Sequence, residues 1–299
     1  MAIGTNDMKL SLGPLTYCWN KTSIFEYYQA IADTNIDTVY LGEVICSRRR
    51  EMKYKDYLEL AHMLAAKGKK VILTTMTLIE SQSEIIELKR IIDNGEFAIE
   101  ANDMAAVNLA SEANIPFICG PSLNLYNRGS LDIMQKLGMT RFVMPYELSR
   151  EWLEQILTQS TTQFETEVLG YGYMPLAHSA RCFTAKHHQK PKLDCQIVCL
   201  QYPKGLLTQT QESQPLLRLN GIQTQSAAKV NLINQIPSMS KIGVDYWRLS
   251  PTGLEDIGLI NQIASSQHSE LTAITPSHSA IECNGYWFGE AGMQINQST

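Results

Sequence analysis

Residues 38–76 read TVYLGEVICSRRREMKYKDYLELAHMLAAKGKKVILTTM and contain one complete strand–helix–strand unit. Residues 38–44 and 71–76 are short runs rich in β-branched and apolar side chains, which favour buried strands. Between them, apolar side chains recur at helical spacing over 54–66, and Gly68 follows as a helix C-cap. Strands joined by a helix in this way lie parallel in one sheet, so the stretch predicts parallel α/β architecture.

The same alternation extends from residue 9 to residue 170. Strands are predicted at 9–15, 38–44, 71–76, 97–100, 117–119, 141–144 and 165–170. Helices are predicted at 23–33, 54–66, 83–92, 103–110, 125–137 and 150–158. Repeated right-handed crossovers of this kind wind into a closed barrel or an open sheet.

The loop after the first strand favours the barrel. Residues 12–14 read Leu-Gly-Pro and lack the G-x-G-x-x-G spacing of a dinucleotide-binding sheet. We therefore predict a TIM-barrel-like parallel (β/α) fold. A helical segment is expected near 230–235 and a further strand at 244–249, but the eighth barrel strand is poorly marked, so the pattern also allows an incomplete barrel.

The regular pattern breaks after Gly172. Residues 173–215 carry three cysteines and three histidines and are interpreted as an insertion after the seventh strand, at the rim where barrels carry function. No low-complexity linker interrupts the chain, so residues 8–299 are predicted to form one domain. Residues 1–7 are predicted to be a tail without structure.

Composition excludes several classes of protein. The net charge of -5 argues against a general nucleic-acid binder, which would show a basic face. The longest apolar runs are strand-sized, so no transmembrane segment is expected, and no secretory leader pattern opens the chain. We expect a cytoplasmic protein, in which the seven cysteines are thiols or ligands rather than disulfides.

The cysteines are unevenly distributed, because Cys46 stands alone and Cys182, Cys195 and Cys199 lie close together far downstream. Thiolates are preferred ligands of soft metals and iron–sulfur clusters, and this spacing matches neither a zinc ribbon nor a bacterial ferredoxin. Both segments follow predicted strands and therefore meet at the same barrel rim. On a helix, Cys195 and Cys199 would share one face about 5–6 Å apart, which suits a cluster.

Three interpretations of these thiols stay open from the residues alone: an iron–sulfur cluster, a structural zinc ion, or a single catalytic thiolate at Cys182 activated by Arg181. Cys18, Cys119 and Cys283 are interpreted as ordinary buried thiols. Less specific candidates are three histidines, three strand-end glutamates and a basic run: His178, His187, His188, Glu43, Glu100, Glu147 and Arg48-Arg49-Arg50. The glutamates fit acid–base chemistry and ordinary ion pairing equally well.

Several short motifs resemble the U32 (collagenase-like) peptidase family: YLGE at 40–43, CSRRR at 46–50, NGEF at 94–97 and MPYELSR at 144–150. Within that family, SARCFTA at 179–185 and CNGYW at 283–287 resemble the branch that serves oxygen-independent ubiquinone biosynthesis. The resemblance runs in register from about residue 8 to residue 287.

The resemblance implies a [4Fe–4S] cluster held by Cys46, Cys182, Cys195 and Cys199. It also implies a heterodimer with a UbiU-like protein and a pathway role beside a UbiT-like lipid-binding protein. The pair would hydroxylate the ring of a ubiquinone precursor without molecular oxygen, with prephenate as the oxygen donor. Peptidase activity is not expected, because the chain shows no convincing HExxH or G-x-S-x-G motif.

Overall fold

The computed structural model describes residues 8–158, 164–266, 274 and 281–296. The tail predicted at residues 1–7 lies outside the described residues. Strands in the described ranges are β1 (Lys9–Leu12), β2 (Thr38–Leu41), β3 (Lys70–Thr74), β4 (Ala98–Ala101), β5 (Phe117–Cys119), β6 (Met139–Val143), β7 (Glu165–His178), β8 (Leu206–Gln209), β9 (Pro215–Asn220), β10 (Gln223–Asn231), β11 (Tyr246–Leu249) and β12 (Glu282–Cys283).

Helices alternate with the strands through most of the chain. They are α1 (Lys21–Ala32), α2 (Tyr54–Ala66), α3 (Gln82–Ile92), α4 (Met104–Glu112), α5 (Arg128–Lys136), α6 (Arg150–Thr158), α7 (Phe183–His187), α8 (Ile236–Ile242) and α9 (Asp256–Ser265). Polar side chains begin several of them. At α4, Asp103 Oδ1 accepts from the Ala105 amide at 2.7 Å, which satisfies one of the free N–H groups of the first turn.

Eight parallel strands close into a ring. β1 to β7 pair in sequence, and β11 pairs with both β1 and β7. This confirms the prediction of a TIM-barrel-like fold and shows that the barrel is closed. The closing strand is short and reads Tyr-Trp-Arg-Leu, and all four residues, including Arg248, are buried.

The outer sheet begins on a strand of the ring. β7 is 14 residues long: its first part pairs with β6 and β11, and its second part pairs antiparallel with β10, followed by β9 and β8. The helix expected near 230–235 is wrong at its start, because the chain stays in β10 to Asn231 and only then forms a 3-10 turn, Ile233–Gln235. Residues 173–178 likewise belong to β7.

The interior of the ring is ionic as well as apolar. Tyr40, Ile72, Ile118 and Val143 form a small buried cluster there. Beside it, Arg248 Nε donates to Glu167 Oε1 at 2.6 Å and Arg248 Nη2 to Glu100 Oε1 at 2.8 Å. The main apolar core lies elsewhere, between the strands and the surrounding helices. None of the helices in the described ranges combines the length and apolar character needed to span a bilayer.

Candidate thiol site at the barrel rim

Four cysteines meet at the carboxyl-terminal rim of the ring. Cys46 lies in the loop after β2, and Cys182 is the N-cap of α7 in the segment that follows β7. Cys195 ends a 3-10 turn, Lys192–Asp194, and Cys199 lies in a second 3-10 turn, Val198–Gln201. All four thiols are half-buried and unpaired in disulfides. The loops after two different strands therefore supply one site.

Cys182 is the centre of this group. Burial raises the pKa of the Cys182 thiol, and the nearby Cys199 and Cys195 thiols raise it further. Burial likewise raises the pKa of Cys46, with Cys182 adding to the effect. Cys46 and Cys182 also pack against the same apolar cluster of Val44, Ile45 and Ile222. The structure thus brings together the four cysteines that the sequence singled out.

The local geometry at Cys195 and Cys199 differs from the helical spacing considered from the sequence. The two cysteines lie on separate 3-10 turns, and between them Gln196 and Ile197 have φ of 52° and 51°. This left-handed conformation is costly for a β-branched residue such as Ile197. The chain therefore reverses between the two thiols instead of stacking them on one helix face.

Glu43 holds the loop that carries Cys46. Its Oε1 accepts from the amides of Ile45 at 2.8 Å and Cys46 at 3.0 Å. Burial raises the pKa of the Glu43 carboxyl, and Arg49 at 3.7 Å opposes that rise. Glu43 therefore positions backbone at the site, which favours the structural interpretation of this strand-end carboxylate.

Cys18 is a fifth thiol that sequence reasoning left out. It is buried in the loop after β1, and its thiol hydrogen-bonds to Cys199. That hydrogen bond, assisted by Arg49, lowers the pKa of Cys199 to about 6, while the pKa of Cys18 is raised. The sequence did contain a sign of this role, because Cys18 follows β1 in the same way that Cys46 follows β2.

The three histidines have partners other than the thiols. His178 contacts the Gln223 amide nitrogen at 3.1 Å, and His188 contacts the Tyr202 hydroxyl at 2.9 Å. The rings of His187 and His188 meet edge to face. Within the described ranges, no three His, Cys, Asp or Glu side chains are grouped so as to hold one metal ion.

The remaining candidates have structural partners. Glu100 is ion-paired with Arg248, and Glu147 accepts from the Tyr126 hydroxyl. Within the basic run, Arg48 Nη1 donates to the Leu193 carbonyl at 2.9 Å, Arg49 is buried and Arg50 is exposed. The cation that lowers the pKa of Cys182 is Arg49, whereas the sequence-based hypothesis named Arg181.

Two concave regions lie next to the thiols. A cavity of about 280 Å³ at the mouth of the ring is lined by Asn102, Ser122, Tyr146, His178 and Gln223, with Arg248 among the lining residues. A more open groove of about 730 Å³ contains Cys46 and Cys195. Leu78 lines both, so the ring mouth and the thiol groove are adjacent.

The donor set of the rim fits an iron–sulfur cluster. Thiolates bind such clusters, and hydrogen bonds to the sulfurs tune them. Here the Ala185 amide donates to Cys182 Sγ at 3.4 Å. Arg49, 6% exposed, lies close enough to lower the pKa of four thiols, and its Nε is buried without a hydrogen-bond partner in the described part of the chain. Positive charge and a free donor beside clustered thiols suit an anionic sulfur-rich group.

Comparisons with known proteins point to one family. The model of peptidase family U32 matches residues 23–254. The tRNA hydroxylation protein P of Escherichia coli (strain K12) is 26% identical over 162 residues, which is 52% of this chain and 36% of that protein. The chain therefore spans about a third of the length of this curated relative.

Solved structures give weaker similarity. A U32 peptidase structure is 10% identical, covering 85% of this chain and 96% of its own, with a TM-score of 0.47. A 2,3-dimethylmalate lyase of the PEP mutase/isocitrate lyase superfamily is also 10% identical, covering 91% of this chain and 86% of its own, with a TM-score of 0.42. Scores below 0.5 establish nothing about function.

Proposed function

Because the chain belongs to peptidase family U32, we propose that it is the cluster-binding subunit of an oxygen-independent hydroxylase, of the UbiV type, in ubiquinone biosynthesis. The observation that carries the proposal is the packing of Cys46 and Cys182 against one apolar cluster at the barrel rim, beside a groove that Cys46 and Cys195 line. Similarity to a tRNA hydroxylation protein supports a role in hydroxylation. The net charge of -5 favours a small ring over RNA as the substrate.

The proposed cofactor is a [4Fe–4S] cluster held by the four rim cysteines, which would supply one-electron transfer. Four protein thiolates leave no iron free for substrate, so substrate would bind elsewhere. The lowered pKa of Cys199, about 6, favours a thiolate before metal arrives. Glu43 holds the backbone of the Cys46 loop through two amides, and Leu78 lines both the thiol groove and the ring mouth.

Substrate and partners follow from the same proposal. The cavity of about 280 Å³ at the ring mouth is sized for the ring of a ubiquinone precursor or for prephenate, the proposed oxygen donor, rather than for a long lipid tail. Delivery of the tailed precursor is assigned to a UbiT-like lipid-binding protein. A UbiU-like protein is the proposed heterodimer partner.

Metal analysis of air-free protein tests the cofactor. We expect about four iron and four sulfide per chain, as one [4Fe–4S] site requires. Cys46→Ala and Cys199→Ala should each lose the cluster, because each removes one of four ligands. Cys283→Ala is the matched control: this thiol is 1% exposed in β12 and should leave iron content unchanged.

Contradicting outcomes are equally specific. Full iron in Cys46→Ala would remove Cys46 from the site, and colourless protein with one zinc ion would replace the cluster by a structural metal. Loss of a hydrolytic activity in Cys182→Ala, with metal content intact, would favour a catalytic thiolate. For the reaction itself, ring hydroxylation by this chain in the absence of a UbiU-like partner would contradict the proposed heterodimer.

A further inference from the structure

Arg49 is held rigidly inside the rim by neutral groups. Its Nη1 donates to the Thr16 carbonyl at 2.6 Å, and its Nη2 donates to Asn220 Oδ1 at 2.7 Å. Asn220 in turn donates to the same Thr16 carbonyl at 2.8 Å. The loop after β1 and the end of β9 therefore fix the guanidinium between them.

The charge of Arg49 is paired with one carboxylate, but without a hydrogen bond to it. The Glu43 carboxylate is 3.7 Å away, beyond hydrogen-bond range, and is shared with two backbone amides. Arg49 Nε is buried and lacks a hydrogen-bond partner among the residues that the structure describes. A buried donor without an acceptor is destabilising, and more so on a charged group. The geometry therefore leaves a place for an anionic acceptor.

Contacts place Arg49 beside the loops that carry the thiols. Its amide donates to the Cys46 carbonyl at 2.9 Å. A Cβ atom on Gly221 would lie 3.0 Å from Arg49 Nη2 and 3.6 Å from Ile45, and the cluster that contains Ile45 packs against Cys46 and Cys182.

Arg49 lowers the thiol pKa of Cys18, Cys46, Cys182 and Cys199, so its charge reaches thiols from three segments of the chain. Its neighbours in the basic run differ, because Arg48 donates to a backbone carbonyl in the groove and Arg50 is exposed.

We propose that Arg49 is the residue that sets the reduction potential of the centre at this rim, by donating from Nε to a ligand thiolate or a cluster sulfide and by placing a fixed positive charge beside it. The inference rests on the proposed cluster. Reduction by dithionite adds one electron to the 2+ cluster and gives the 1+ state, and no bond is made or broken. The cation stabilises the more negative, reduced state, so it raises the potential.

Redox titration of three variants tests the electrostatic part. Arg49→Gln removes the charge, and we expect the ratio of reduced to oxidised centres at a fixed potential to fall at least tenfold, which is 59 mV for a one-electron couple. Arg49→Lys keeps the charge, and we expect it to restore most of that shift. Arg50→Gln removes a charge from the exposed neighbour and should shift the ratio less than threefold.

A measurement on the unaltered protein covers the case in which Arg49→Gln fails to fold. Protein labelled with arginine that carries nitrogen-15 only at Nε is reduced with dithionite, and pulsed EPR records nitrogen couplings to the cluster spin. We expect one coupled nitrogen-15 that disappears in Arg49→Lys and persists in Arg48→Lys. The lysine variant carries no label at position 49, so the comparison assigns the coupled nitrogen to Nε of Arg49.

The outcomes separate this inference from the proposed function. Unaltered protein without iron overturns the cluster and with it this inference. Iron-loaded protein whose potential is unchanged in Arg49→Gln, or which shows no arginine nitrogen coupling, overturns the role of Arg49 and leaves the cluster in place. A coupled nitrogen together with a lowered potential in Arg49→Gln supports the inference.

Discussion

At the scale of single residues, Cys18 and Cys199 have different roles. Cys18 donates a hydrogen bond, and Cys199, which accepts it, is in the state that binds metal. Cys18 is buried and retains its proton, whereas Cys199 accepts the hydrogen bond and has its pKa lowered to about 6. Metals bind the thiolate form, so Cys199 suits a ligand and Cys18 suits its neighbour. Five thiols at one rim can in this way have two different roles.

Replacement of Cys18 by alanine tests that division. In metal-free Cys18→Ala, alkylation of Cys199 should have its pH midpoint raised above about 6, because the thiol that stabilises the Cys199 thiolate is gone. Iron content after air-free purification should stay at the unaltered level. Loss of all iron in this variant would instead make Cys18 a ligand.

At the scale of elements, β7 and β11 are closely packed against each other. A Cβ atom built on Gly170, in β7, would lie 1.8 Å from Nε1 of Trp247 in β11. The indole is 1% exposed and rigid, so it cannot move aside cheaply. Glycine at this position is therefore required by packing.

The variant Gly170→Ala should lower the free energy of unfolding by about 2 kcal/mol or more, as overpacking of a dense core does. Gly258→Ala provides the matched comparison, because Gly258 lies in α9 with nothing within 4 Å of a new Cβ. That substitution should stabilise the protein by about 0.5–1 kcal/mol. Denaturant titration of both variants checks the pair, and equal effects would contradict the packing argument.

Whether a strand could be predicted from the sequence depends on how apolar its residues are. β2 and β3 are continuous apolar runs and were predicted within a few residues. The strand predicted at 244–249 is confirmed as β11, but its role as the closing strand was not predicted, since it contains the buried charge of Arg248. The outer strand β8 alternates half-buried and exposed positions, and β9 is mostly half-buried, so no buried run reveals either strand.

The residues of the site likewise fall into those that the sequence predicts and those that it does not. Cys46 and Cys182 are predicted to be neighbours, because both follow strands of the barrel and such loops meet at one rim. The roles of Cys18 and Arg49 could not be predicted, since each depends on long-range contacts: Cys18 with Cys199, and Arg49 with Asn220 at the end of β9.

At the scale of the whole molecule, the barrel is closed around buried charges. Glu167 accepts from Ser11 at 2.6 Å, from Arg248 at 2.6 Å and from Arg141 at 3.1 Å. Burial alone would raise the pKa of the Glu167 carboxyl, but Arg248 and Arg141 lower it to about 2. Removal of one member of such a buried network leaves the others uncompensated.

The pH dependence of stability follows from that lowered pKa. Glu167 titrates near 4.5 when unfolded and near 2 when folded, so its contribution is complete above about pH 4.5 and is lost as the pH falls towards 2. A difference of this size is worth about 3 kcal/mol. Glu167→Gln should lose a similar amount at pH 7 and should show a flatter stability curve between pH 4.5 and 2. Chemical denaturation across this range checks both, and an unchanged slope would contradict the assignment.

The continuity of β7 also affects how the protein unfolds. One uninterrupted strand hydrogen-bonds to the ring through residues up to Tyr171 and to the outer sheet from there to His178. A partly melted form that kept the ring but released the outer sheet would have to fray this strand in its middle and strip Arg49 of its Asn220 partner. The scaffold and the thiol rim therefore belong to a single cooperative unit, and damage to either is transmitted to the other.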